Sequence, residues 1–315
     1  MQVVRATEPP SSPARTQPPG RAPFRIGAVQ QRWHRDPDEH QEALRAGIEI
    51  AATEGARLVC LQELTLSPYF AVTPGGPEVA GAAPEPLPGG PTFEFAAAAA
   101  TEFDLHVHAS LYERAEAEDG LGYNTAIVVS PAGELVARTR KLHIPITAGY
   151  YEDRYFRPGP PGEDAYPLLR LGEAGLGLPT CWDQWFPEVA RAYSLEGADV
   201  VVYPTAIGSE PDHPDFDTEP LWHQVIVSHG IANGLFMVAV NRTGSEPPLT
   251  FYGSSFISDP YGRVLAQAPR EKPAVLVADL DLDQRRDWLE LFPLLSTRRP
   301  DTYGPLTKSR AKSRE

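Results

Sequence analysis

The sequence has only two cysteines, Cys60 and Cys181, in 315 residues. Two cysteines make neither a disulfide framework nor a cysteine-rich zinc site. Free thiols fit a reducing compartment, so a cytoplasmic location is expected. No stretch reaches the roughly 18 uninterrupted apolar residues that span a bilayer. Positive charge is also scarce: 28 Lys and Arg stand against 42 Asp and Glu, a formal net charge of -14. Nucleic-acid and anionic-membrane surfaces need a basic patch, so neither partner is expected. Residues 1–23 carry Arg5, Arg15 and Arg21 but no apolar run, which excludes a secretory signal there. Their richness in Pro, Ser and Thr predicts a disordered N-terminal extension.

Apolar residues are plentiful, at 42%. That suffices for one large α/β domain, expected over 24–303, with a polar tail over 304–315. Residues 24–30 read as a first strand, 40–54 as a helix closed by Gly55, and 56–62 as a strand covered on both faces. The opening is therefore β-α-β, with Glu63 at the C-terminal end of its second strand, where α/β sheets place their chemistry. Residues 105–112 read as a strand, and 124–130 with 134–140 as a hairpin that delivers Lys141. Two long loops, 67–92 and 143–167, interrupt the pattern, and loops of that length inside a compact domain are usually functional. The alternation of elements suggests a four-layer α-β-β-α arrangement or another mixed packing of sheets and helices.

The stretch from Leu178 to Glu188 joins an apolar run (168–178), read as one buried strand, to a helical pattern. Cys181 therefore sits on a sharp strand-to-helix turn, where a nucleophile is best exposed. A lone cysteine is equally at home in a core. Glu63 and Lys141 also fall at strand ends. A neighbouring cation lowers a thiol pKa, and a Glu in reach can take the thiol proton and later activate water. Lys141 and the N–H of Trp182 can hold a developing oxyanion. Such a set suits attack on the carbon of an amide, ureido group or nitrile through a covalent intermediate.

Three blocks, Leu61-Gln-Glu-Leu64, Arg140-Lys-Leu-His-Ile-Pro145 and Cys181-Trp-Asp-Gln-Trp-Phe-Pro-Glu188, resemble those of the nitrilase (carbon–nitrogen hydrolase) superfamily in order and separation. The resemblance implies the α-β-β-α sandwich, Glu63 as general base, Lys141 as oxyanion stabiliser and Cys181 as nucleophile. It implies Glu152 as a second glutamate supporting Lys141 and the attacking water. It implies no metal and no organic cofactor, and a homo-oligomer, a dimer or larger. The Cys181 block, together with Tyr203-Pro-Thr-Ala-Ile-Gly-Ser-Glu-Pro211, Gly149-Tyr150 and Thr250-Phe-Tyr-Gly-Ser-Ser-Phe256, resembles the N-carbamoylputrescine amidase branch. That branch implies a small ureido substrate with a distal ammonium. Glu210 is the expected carboxylate for the ammonium and Asp183 a second. Trp182, Tyr150, Thr205 and Ala206 are the remaining expected substrate contacts. Relatives that bind an anionic N-carbamoyl amino acid carry Arg just after the nucleophile, whereas Trp182, Asp183 and Gln184 stand here. The alternatives are an N-carbamoyl-amino-acid hydrolase, an aliphatic amidase or a non-catalytic amide-binding module.

Other polar groups suggest less. His106 and His108 share a strand face but lack a third ligand nearby. Asp279, Asp281 and Asp283 alternate without the Gly and closing Glu of a calcium loop. Cys60 reads as a core residue, and His143 and His229 as structural histidines.

Overall fold

A computed structural model describes residues 1–147 and 149–308. The chain opens with β1 (Gln2–Ala6), β2 (Phe24–Gln30), α1 (Pro37–Thr53) and β3 (Leu58–Cys60). Asp36 caps α1 by accepting the N–H groups of Asp38 and Glu39, with Pro37 at the first helical position. Next come α2 (Pro77–Ala80), α3 (Pro91–Phe103), β4 (His106–Glu113), β5 (Tyr123–Val129) and β6 (Leu135–Arg140). A small ribbon of β7 (Ile146–Thr147) and β8 (Tyr150–Tyr151) precedes β9 (Leu168–Leu171), β10 (Ala174–Gly177), α4 (Pro187–Leu195), β11 (Val200–Pro204) and α5 (Glu219–Asn233). The chain ends through β12 (Phe236–Val240), β13 (Thr243–Glu246), β14 (Leu249–Tyr252), β15 (Phe256–Ser258), β16 (Val264–Gln267), β17 (Ala274–Leu280) and α6 (Asp283–Leu291).

One seven-stranded sheet runs β1-β17-β2-β3-β4-β5-β6, and one six-stranded sheet runs β16-β15-β12-β11-β10-β9. Alternation along each strand divides the apolar side chains between two layers. Leu58, Cys60 and Val128 join Leu176, Val200, Val202 and Val238 between the sheets. Val59, Val107 and Ile127 turn the other way, toward Ile48, Ala51, Ala96 and Ala100 of α1 and α3. Val201 and Met237 face Val189, Trp222 and Ile226 of α4 and α5. The result is the expected four-layer α-β-β-α sandwich, with apolar strands covered on both faces. No helix among the described residues is long and apolar enough to cross a membrane.

The expectation of disorder over 1–23 is overturned. β1 pairs in parallel with β17, from Gln2 opposite Ala274 to Ala6 opposite Ala278. Arg15 bonds Asp287 at 2.8 Å and Asp281 at 2.7 Å. Arg21 bonds Asp283 at 2.9 Å and Asp199 at 3.0 Å. Composition reported a Pro-rich polar segment, but ordering comes from arginines that meet buried carboxylates elsewhere in the chain. The same contacts explain the Asp279, Asp281 and Asp283 alternation, since Arg25 takes Asp279 at 2.6 Å.

A smaller expectation also changes. The single strand over 168–178 is a hairpin, with β9 antiparallel to β10 around Gly172 at φ 61°. The stretch 244–249 lies in the β13–β14 hairpin. Of the expected polar tail, 309–315 lie outside the described residues, and a short 3-10 turn covers Gly304–Thr307. The two long loops pack on each other through an aromatic cluster of Tyr69, Phe70, Tyr112, Tyr150, Tyr155, Phe156 and Phe251.

Replacing Arg21 takes the guanidinium away from two nearly buried carboxylates, Asp199 and Asp283, which keep only backbone N–H donors at hydrogen-bond distance among the described residues. Arg21→Ala should cost roughly 1–3 kcal/mol, discounted for the part of Arg21 that reaches water. A urea titration checks this: an unchanged midpoint would mean that the segment adds nothing to stability.

Candidate active site

Each candidate side chain stands just beyond the end of a strand. Glu63 lies three residues beyond β3, and the chain turns sharply at Leu64, whose φ is 49°. Lys141 follows β6 directly. Cys181 comes four residues after β10, with φ at 38°, and opens a 3-10 turn over Cys181–Trp185. A left-handed residue with a Cβ is strained by roughly 1 kcal/mol, which the surrounding structure must hold in place. Glu152 opens another 3-10 turn just after β8.

The four groups form one buried cluster. Lys141 Nζ donates to Glu63 Oε1 at 3.0 Å, and to Glu152 Oε1 and Oε2 at 2.8 and 2.7 Å. Asn124 Nδ2 donates to Glu63 Oε1 at 2.7 Å. The Tyr69 hydroxyl donates to Glu152 Oε1 at 2.7 Å. Glu63 Oε2 is buried with no hydrogen-bond partner among the described residues, so it is available to a proton. Burial works against the Lys141 charge, but Glu152 and Glu63 outweigh it and hold the ammonium protonated. Burial pushes the Glu152 carboxyl up to about 7, helped by Glu63 and opposed by Lys141 and Tyr69.

Cys181 departs from expectation. Its thiol is raised well above the usual value, by burial first and then by the Glu63 charge. Lys141 pulls it down by less than Glu63 pushes it up, and Glu152 adds to the rise. Cys181 therefore rests as a neutral thiol, which would need a base to take its proton before it could attack a carbon.

A cavity of about 210 Å³ reaches Cys181 and Glu152. Of the expected substrate contacts, Trp182, Tyr150, Ala206 and Glu210 line it. Tyr69, Trp185, Thr218 and Leu221 line it too. Glu210 is half-buried, accepts from Thr218 Oγ1 at 3.4 Å and has its carboxyl pushed up by burial.

Asp183 and Thr205 do not line this cavity. Asp183 is buried and takes the N–H groups of His143 and Thr180 at 3.0 and 3.2 Å, and His143 Nδ1 at 2.7 Å. It ties the segment after Lys141 to the nucleophile turn, and its oxygens are occupied. The Thr205 hydroxyl turns away to the Val240 carbonyl at 3.3 Å. His143 stacks on Phe186 with ring centroids 3.6 Å apart. His108 lies fully buried, and burial holds its pKa down at about 3.

A family model described as carbon-nitrogen hydrolase matches residues 25–290. The chain belongs to the carbon–nitrogen hydrolase family. It is 37% identical over 267 residues to a Solanum lycopersicum protein named N-carbamoylputrescine amidase, covering 82% of this chain and 86% of the relative. A Francisella tularensis protein named citrullinase is 32% identical, covering 91% of this chain and 99% of the relative. The crystal structure of a carbon-nitrogen hydrolase from Helicobacter pylori superposes with a TM-score of 0.80 at 31% identity, over 92% of this chain and all of that one. The protein is thus a carbon–nitrogen hydrolase built on the nitrilase-type sandwich.

Sequence reasoning missed Tyr69, Asn124 and Arg242. Asn124 carried a signal, a polar residue starting an otherwise apolar strand. Tyr69 lay in a Pro- and Gly-rich loop that gave no reason to prefer it. Arg242 is fully buried and donates to the carbonyls of Glu63, Leu64 and Ser67 at 2.7, 3.1 and 3.2 Å. It braces the turn that presents Glu63.

The raised Glu152 carboxyl sets a pH dependence. Below about 7 it takes up a proton, and Lys141 loses one of the two anions that hold its ammonium in place. Activity should be full on the alkaline side and fall as pH drops through that value. A rate–pH profile checks it, and a flat profile between pH 6 and 8, bounds set by roughly one unit around neutrality, would contradict the coupling.

Proposed function

We propose that this enzyme hydrolyses N-carbamoylputrescine to putrescine, carbon dioxide and ammonia. The observation that carries the reading is the charge of the cavity wall. Its lining holds the carboxylate of Glu210 beside Trp182, Trp185 and Tyr150, and no Arg, Lys or His is among those residues. A distal ammonium finds a half-buried carboxylate and aromatic faces there. The carboxylate of an N-carbamoyl amino acid finds no cation in the wall. The name of the tomato relative points the same way.

In the proposed reaction Glu63 takes the Cys181 proton, and Sγ bonds to the ureido carbon. Lys141 and the N–H of Trp182 hold the oxyanion. The bond to the terminal nitrogen breaks, and that nitrogen takes the proton from Glu63 and leaves as ammonia. Glu63 then deprotonates a water that attacks the thioester carbon. Sγ departs and recovers a proton, and the released carbamate splits into the amine and carbon dioxide. Glu152 keeps Lys141 charged and in place. A cytoplasmic location and a homo-oligomer belong to the same reading; the free thiols of Cys60 and Cys181 support the former.

Ammonia release from N-carbamoylputrescine should exceed that from citrulline, N-carbamoyl-β-alanine and a simple aliphatic amide by about a hundredfold in kcat/KM, roughly 2.7 kcal/mol. Glu210→Gln should raise KM for the diamine derivative about tenfold or more while changing kcat less. Preference for citrulline or another carboxylate-bearing substrate would discard the putrescine reading and leave the thiol chemistry standing. Loss of all turnover in Cys181→Ser is expected, and full activity in that variant would end the mechanism.

A further inference from the structure

The donors around Lys141 are fully committed. An ammonium has three N–H groups, and all three polar contacts of Lys141 Nζ go to carboxylate oxygens: Glu63 Oε1, Glu152 Oε1 and Glu152 Oε2. Lys141 can reach an oxyanion only by releasing one of them. Releasing Glu152 Oε2 leaves that oxygen without a donor. Releasing Glu152 Oε1 leaves it on the Tyr69 hydroxyl at 2.7 Å. Glu63 Oε1 would likewise keep Asn124 Nδ2 at 2.7 Å, but the cavity in which the oxyanion forms is lined by Glu152, Tyr69 and Cys181 and by neither Glu63 nor Lys141, so Glu152 is the carboxylate beside the path Lys141 takes to it. A buried carboxylate oxygen stripped of its only donor carries a full desolvation penalty, so of the two Glu152 oxygens the one covered by Tyr69 is released.

Tyr69 is held for this task. Its ring packs edge-on against Tyr150 and Phe251, each centroid 6.0 Å away. Its backbone N–H donates to Glu246 Oε2 at 2.6 Å, and Glu246 Oε1 takes Arg242 Nη1 at 2.7 Å. Through Arg242 the same chain of contacts reaches the Glu63 carbonyl. Burial and the neighbouring carboxylates Glu152 and Glu63 push the phenol well above its usual pKa, so it stays a donor across the working range.

We propose that Tyr69 is a positioning residue for catalysis: it stands in on Glu152 Oε1 when Lys141 swings one N–H to the oxyanion. This rests on the roles proposed for Cys181, Glu63 and Lys141, and not on the identity of the substrate. The charged and titratable groups facing Glu152 are Lys141 from the end of β6, Glu63 from the end of β3 and Tyr69 from its loop, with Cys181 and Tyr150 within range of its charge.

The test compares Tyr69→Phe with the parent enzyme on whichever linear amide or ureido compound the parent hydrolyses. The parent's own substrate preference judges the putrescine reading separately. Expected for Tyr69→Phe is a kcat about ten- to a hundredfold lower, with KM within about twofold. Losing a donor disfavours the ionised carboxylate, so the acid limb of the kcat profile should also move to higher pH. Replacing Tyr69 by 3-fluorotyrosine keeps the ring and strengthens the donor, so that limb should move to lower pH. This second protein decides the matter if the phenylalanine variant does not fold. The pH profile of Cys181 alkylation by iodoacetamide should show the same pair of shifts without any turnover. An unmoved limb in both proteins, even with a lower rate, would reduce Tyr69 to packing and overturn the proposal.

Discussion

Lys141 Nζ lies 3.0 Å from Glu63 and 2.7 Å from Glu152, and all three side chains are buried. Burying charges is costly, and a pair is tolerated only when the remaining lone pairs and protons are satisfied. Asn124 and Tyr69 supply those extra contacts, one to each carboxylate. The trio carries one positive and two potential negative charges, so one carboxyl must be easy to protonate. Glu152 is that group, and its affinity for a proton feeds back on the base. The neutral thiol follows from the same arrangement, because two anions and burial outweigh one shared cation. Glu63, Glu152, Lys141 and Cys181 are therefore one electrical unit, and changing any member alters the others.

Holding that unit takes parts of both sheets. Glu63 and Lys141 come from the seven-stranded sheet and Cys181 from the six-stranded one. Packing between the sheets fixes their separation, since interiors are close-packed and resist sliding. Asp183 then ties the two sides together by accepting from the His143 backbone while sitting two residues beyond the nucleophile. An acidic residue next to Cys181 that looked like a substrate contact is a structural staple. The two long loops complete the cavity by packing aromatic rings on each other, which gives loop segments a core of their own.

Charge outside the site does a different job. The acidic groups at 199, 279, 281, 283 and 287 are met by Arg15, Arg21 and Arg25. These pairs hold the N-terminal segment across the end of the sandwich and let β1 extend the sheet. A strongly negative net charge thus coexists with locally neutralised clusters. At the cavity, by contrast, the Glu210 carboxylate has only a long contact, to Thr218, among the described residues.

Much of the fold was legible because it rests on local pattern. Apolar runs, the helix over residues 40–54 and the turn glycines report elements directly, and strand ends report where chemistry can sit. Glu63, Lys141 and Cys181 stood out for that reason, and their three blocks together matched the family. The hairpin within 168–178 was hidden because an apolar run looks the same with or without a turn at glycine. Residues 1–23 misled because composition measures how little apolar surface a segment offers, not which distant carboxylates its arginines meet. The sequence alone carries the layers and the reaction class, and it singles out Glu63, Lys141 and Cys181 as the candidate reacting side chains. Only the tertiary structure decided that the thiol rests protonated, that Asp183 and Thr205 turn from the cavity, and that Tyr69 and Asn124 touch the carboxylates. Those outcomes depend on burial and on contacts between residues far apart in the chain, and neither quantity is written in local order.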